Sequence, residues 1–119
     1  MLIKRLKDCT EITAGDRTRL RELLHPARDA AAIRYSLAVA WLAPGKRSHA
    51  HVLATAEVYY VVRGSGVMHI GDESAKVAAG DTAYIPPDSV QWLENTGKEE
   101  IEFICIVDPA WRPEDEAVL

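Results

Sequence analysis

Short segments rich in β-branched and aromatic residues recur along this chain every eight to twelve residues, and each ends on glycine, proline or aspartate. The run "IRYSLAVAWLAPG" (33–45) closes on Pro-Gly. "EVYYVVRG" (57–64) closes on Gly64, "GVMHIGDE" (66–73) on a Gly71-Asp72 turn, and "AKVAAGD" (75–81) on Gly80-Asp81. "TAYIPPD" (82–88), "VQWLENTG" (90–97) and "EEIEFICIVDP" (99–109) complete the series. Strands at this spacing with turn residues between them point to an all-β sandwich or barrel, its core between about residues 33 and 108. One helix is expected before the series, over "RTRLRELLH" (17–25). Asp16 is its candidate cap, Leu20, Leu23 and Leu24 fall at helical spacing, and Pro26 is a stop. His25 ends it, where a cation suits the helix dipole. The tail "AWRPEDEAVL" is polar and is expected on the surface.

A chain of 119 residues suits one domain, and an apolar fraction of 48% is enough to bury a core. No run approaches the ~18 apolar residues of a membrane span. The N-terminus "MLIKRLKDC" lacks an apolar secretory core. Cys9 and Cys105 are too few for a disulfide framework and read as reduced thiols of a cytoplasmic protein. Residues 1–47 carry ten Lys or Arg against five acids, and residues 48–119 carry four against thirteen. The bases are scattered among acids without interleaved aromatics, so they read as a solvated face rather than a nucleic-acid surface.

The segment "HAHVLATAE" (49–57) holds two of the four histidines one residue apart, and Glu57 follows at the head of an apolar strand. On a strand, residues i and i+2 point to one face, so His49 and His51 would form a pair of imidazole donors. A carboxylate facing inward on "EVYYVV" needs a partner, and a divalent cation is one. Two histidines and a carboxylate are the donor set of non-haem iron and related sites.

These residues, with those of a second segment, resemble the cupin family. Its first motif, a glycine, HxH, a glutamate, six residues and a glycine, is matched by Gly45, His49, His51, Glu57 and Gly64. Its second, a glycine, five residues, a proline, a turn, a histidine, three residues and an asparagine, is matched by Gly80, Pro86, Gln91 and Asn95. The resemblance implies a small double-stranded β-helix, or jelly-roll barrel, with a divalent ion (Mn, Fe, Ni or Zn) held by His49, His51, Glu57 and Gln91. Three departures stand out. The gap from His51 to Glu57 is one or two residues longer than usual, although the distance from Glu57 to Gly64 is kept. Asp88 replaces the turn glycine, a position Asp tolerates. Gln91 replaces the third histidine. It is either a weaker, harder oxygen ligand or a partner of a bound water or ligand, unless metal binding has been lost.

The other candidates carry less chemistry. Alternation puts His69 on the face opposite Met68 and Ile70, as a surface or interface residue. Cys105 shares a face with Ile101, Phe103 and Val107 and reads as core. Of Trp41, Tyr59, Tyr84 and Trp92, Tyr59 is the best pocket residue because it shares a face with Glu57; Tyr84 is a second. The family implies enzymes, dioxygenase-like or isomerase-like, on small oxygen-rich organic molecules. It also implies non-enzymatic modules that bind a sugar or carboxylate, and the fold alone does not choose. Ile104 and Ile106 give "EEIEFICIV" a second apolar face, expected to meet the N-terminal segment or a partner subunit, and a homodimer is predicted.

Overall fold

The computed structural model describes all residues, Met1–Leu119, and consists of two antiparallel sheets. The strands are β1 (Glu11–Thr13), β2 (Arg19–Leu24), β3 (Ser36–Leu42), β4 (His51–Leu53), β5 (Ala56–Arg63) and β6 (Ser65–Ile70). They continue as β7 (Glu73–Ala78), β8 (Thr82–Ile85), β9 (Val90–Glu94), β10 (Ile101–Asp108) and β11 (Glu116–Val118). One sheet has the order β1-β2-β3-β10-β5-β8 and the other β11-β4-β9-β6-β7. The all-β barrel expected from strand spacing is present.

The core lies between the sheets. On β10, Ile101, Phe103, Cys105 and Val107 are buried while the alternate residues are not, the period-2 pattern of a strand with one inner face. Ile101, Phe103 and Cys105 form one cluster with Ala40 and Leu42 of β3, Tyr59 and Val61 of β5, Met68 of β6, Ile85 of β8 and Leu93 of β9. Cys105 is core, as its position predicted. Turn chemistry fixes the connections. Gly64 has φ +88°, and a Cβ there would lie 2.8 Å from the Glu100 carbonyl oxygen, so only glycine fits between β5 and β6. Asp88 takes φ +63° before β9, which Asp tolerates in place of the motif glycine.

Two expectations require correction. Residues 17–25 are not a helix; Arg19–Leu24 are strand β2, paired with β1 and β3. The leucine spacing was compatible with either period. The open edge of β3 offered a ladder of hydrogen bonds that outweighed local propensity. The helical elements that do form are 3-10 turns at Leu6–Asp8 and Pro113–Asp115. Asp16 caps no helix; its Oδ1 accepts from the Thr18 N–H at 3.1 Å and the Thr18 hydroxyl at 2.7 Å, closing a turn. His25 lies just past β2 and is buried. Its Nε2–H donates to the Trp111 carbonyl at 2.8 Å, and its Nδ1 accepts from the Ala27 N–H. The tail is also not a mere surface appendage. Ala110 is buried, and Glu116–Val118 form β11, which pairs with β4.

Candidate functional site

A cavity of about 630 Å³ opens between the sheets. Its lining includes Asp16, His51, Leu53, Glu57, Tyr59, Phe103, Cys105 and Glu116. His51 sits at the start of β4 and is paired across the ladder with Gln91 of β9. Cross-strand partners project to one side of a sheet, so the two side chains are neighbours. Both are buried, at 3% and 1% exposure. The His51 Nδ1–H donates to the His49 carbonyl at 2.9 Å. A carbonyl can only accept, so this bond fixes the tautomer of the neutral ring and leaves Nε2 as a bare acceptor. Nε2 faces Asp16 Oδ2 at 3.9 Å, too far for a hydrogen bond but close enough for a ligand atom to bridge.

Glu57 comes from β5, beside Ile85 and Val107 in register, and is buried. Burial pushes its carboxyl up to about 8; a hydrogen bond from the Gln91 amide opposes the shift, and the charges of Asp16 and Glu116 add to it. Oε1 of Glu57 and Oε1 of Gln91 are both buried without a hydrogen-bond partner. Tyr59 lies two residues along the same face, buried, with its ring 4.7 Å from that of Phe103 and tilted by 49°. Burial raises its phenol well above the ordinary value.

Two expected site residues lie elsewhere. His49 is exposed and does not line the cavity. Strand β4 begins only at His51, so the i, i+2 rule does not extend back to residue 49. The chain there is bent by other bonds: the His49 N–H donates to the Asp16 carbonyl at 2.7 Å, and Ser48 bonds Leu93 through both its backbone and its hydroxyl. Tyr84 pairs with Val58 on β8, points to the outer face and is 61% exposed. Trp41 and Trp92 are also outside the cavity; Trp41 donates to Glu102, and Trp92 stacks on His69. His69 takes the outer face predicted for it.

Asp16 and Glu116 were not foreseen as site residues. Asp16 is held by the Thr18 turn, and Glu116 is carried in by β11. Burial raises the Glu116 carboxyl, His51 lowers it, Asp16 raises it and a hydrogen bond from Trp111 lowers it. The one signal in the sequence was the acid at each position, which alternation alone did not place.

The family model for the cupin domain matches residues 39–107. The chain is a member of the cupin family. It is 36% identical over 101 residues to an uncharacterized protein of Methanocaldococcus jannaschii, a match covering 84% of this chain and 80% of that one. Among solved structures, it superposes on a predicted oxalate decarboxylase of Thermotoga maritima with a TM-score of 0.79 at 22% identity, covering 91% and 99% of the two chains. The polyketide cyclase RemF of Streptomyces resistomycificus superposes with a TM-score of 0.80 at 19% identity, covering 95% and 82%. Likeness at these identities speaks for the fold; the chemistry must come from the site.

Within the cupin frame, the geometry accounts for the long gap after His51. The alternate residues of β4 that are buried and line the cavity are His51 and Leu53, not His49 and His51. Three residues separate Leu53 from Glu57, the usual spacing, against five between His51 and Glu57. Leu53 therefore stands at the second histidine position of the barrel and Gln91 at the third. No three His, Cys, Asp or Glu side chains stand close enough to share one ion. One imidazole, one carboxyl, an amide and a leucine do not make the four-donor set expected from the sequence, and the residues present do not fit that metal centre.

Proposed function

We propose that this cupin is an enzyme that binds a small, oxygen-bearing organic molecule and moves a proton on it without a resident metal. The observation that carries this reading is the pair His51 and Glu57, a bare imidazole nitrogen and a proton-holding carboxyl in one cavity. The bond from Nδ1–H to the His49 carbonyl leaves Nε2 to take a proton from the ligand. Glu57, with its carboxyl near 8, holds a proton at neutral pH that it can deliver to a developing oxyanion or a departing hydroxyl. Tyr59 and Phe103 supply an apolar wall against which the ligand's carbon skeleton packs. A base and an acid facing one volume serve isomerisation or dehydration, and this reading places isomerase-like chemistry ahead of dioxygenase-like chemistry.

A fragment screen by NMR on chelator-treated protein tests this reading. Hits should perturb His51 and Tyr59, and at least one should incorporate deuterium at a carbon next to a carbonyl in D2O. The exchange should be lost in both His51→Ala and Glu57→Gln. Binding that requires an added divalent ion, or that is as tight in His51→Ala, would overturn the proposal.

The outer face of the β3-β10-β5-β8 sheet carries two cross-strand rows, Leu37–Ile106–Val58–Tyr84 and Val39–Ile104–Tyr60–Thr82. Tyr60 and Tyr84 are 43% and 61% exposed. We infer that a second copy of the chain covers the Leu37–Ile106–Val58–Tyr84 side of this face, because adjacent exposed apolar side chains on a sheet surface are costly in water; Val39, at 6% exposure, is already covered within the chain. Tyr84, which lies outside the cavity, takes its place there.

A further inference from the structure

The uncommitted polar atoms around the cavity floor are mostly acceptors. Asp16 uses Oδ1 in the Thr18 turn, and its Oδ2 lies 3.9 Å from His51 Nε2. His51 presents Nε2 as an acceptor in its neutral form. Glu57 Oε1 and Gln91 Oε1 are buried without a partner, and Glu57, itself 94% buried, lines the cavity. Glu116 joins them. Its carboxylate lies so close to Gly15 that a Cβ on that residue would stand 2.6 Å from Glu116 Oε1.

No Lys or Arg reaches this floor. The three basic residues that line the cavity, Lys4, Arg5 and Arg28, are exposed at its mouth. Lys4 is paired with Asp29 at 2.9 Å and Arg28 with Glu22 at 2.7 Å. Arg5, which makes no ion pair, is the one unpaired cation a carboxylate ligand meets on entry; beyond it stand the carboxylates of Asp16 and Glu116 with no cation beside them.

We propose that the ligand carries a positively charged nitrogen group, a primary ammonium or an amidinium, held between Asp16 and Glu116 beside His51. This inference rests on the reading of the cavity as a small-molecule site and names the class of molecule it takes. The acids and His51 are too dispersed to share one metal ion. An organic cation reaches further, because each N–H···O bond spans ~2.9 Å against ~2.0–2.3 Å for a metal–oxygen bond. The apolar walls, Leu20, Tyr59, Phe103 and Val107, suit the organic body attached to such a group. Asp16 and Glu116 both lie outside residues 39–107, so the charge recognition belongs to the segments this chain adds around the family barrel.

A matched series of benzylammonium, benzyl alcohol and benzoate, titrated at pH 7 into the full chain by NMR, tests it. The ammonium should bind at least about tenfold more tightly than the alcohol, and benzoate more weakly than either, as expected for a charge at partly buried carboxylates. Asp16→Asn, which keeps an acceptor for the Thr18 turn, and Glu116→Gln should each remove most of that preference while leaving alcohol binding within about twofold. Gly15→Ala, which displaces the Glu116 carboxylate, should reduce it in part. Equal binding of ammonium and alcohol at the cavity would overturn the inference and leave the small-molecule reading standing. Binding of none of the three would overturn both.

Discussion

The strands between residues 39 and 107 and the segments that flank them contribute different things to the same cavity. The matched barrel supplies the walls and two or three polar groups at fixed register: His51 opposite Gln91, and Glu57 two residues from Tyr59. The flanks supply charge, Asp16 from the turn before β2 and Glu116 from β11. The barrel residues are buried in a cross-strand lattice, so their positions are over-determined. The flanking acids hang on a single turn and a three-residue strand. The scaffold is thus the family's, while two of the acids that reach the cavity come from outside it.

The largest test of this division is in the scaffold. Phe103 is 1% exposed at the centre of the core, and Phe103→Ala should lower unfolding free energy by about 3–5 kcal/mol in denaturant titration. Glu116→Gln, by contrast, should change it by less than about 0.5 kcal/mol. Comparable losses from the two would erase the contrast between wall and flank.

The next test separates burial from charge at Glu57. Its folded-state value, about 8, lies above its ordinary 4.5. Between these values the folded chain holds a proton that the unfolded chain has released, so this group's contribution is complete below 4.5 and is lost as pH rises through about 8. The difference in stability between wild type and Glu57→Gln should therefore move against wild type over that window, by at most about 4–5 kcal/mol. Asp16→Asn should shrink the shift by a smaller amount, since burial is the first cause and the flanking charge a lesser one. A flat difference from pH 4.5 to 8.5 would mean that the carboxyl is solvated.

A smaller effect is expected on the outer face. Ile106→Lys places a charge in the Leu37–Ile106–Val58–Tyr84 row. Light scattering at micromolar concentration should show a dimer for wild type and a monomer for this variant. Far-ultraviolet circular dichroism should stay unchanged. A wild-type monomer would remove the second copy from the account.

How far the sequence could be read follows the same line between barrel and flanks. The strand series from 33 to 109 was legible because turn residues punctuate it and period-2 alternation marks its inner face. Glu57 and Tyr59 on one face, Asp88 in a left-handed turn and Cys105 in the core all follow from that. The flanks were not legible. The leucines of 19–24 fit a helix locally, and only the unpaired edge of β3 decides for a strand. Residues 116–118 are too short and polar to announce a strand before β4 is there to pair with. His49 and His51 were read as a strand pair because spacing cannot show where a three-residue strand begins. With β4 starting at His51, the pair on the cavity face becomes His51 and Leu53. That one shift removes one imidazole from the donor set expected on the cavity face.

The most direct measurement is therefore of metal affinity in two proteins. Chelator-treated wild type and the double variant Leu53→His, Gln91→His should be titrated calorimetrically with zinc, nickel and manganese at pH 7.5. If His51 and Leu53 occupy the two-histidine positions, wild type should show no site tighter than about millimolar. The double variant, which completes three imidazoles and Glu57, should take up one ion per chain at least about 100-fold more tightly. One ion bound per wild-type chain at micromolar affinity, and lost in His49→Ala, would contradict the account.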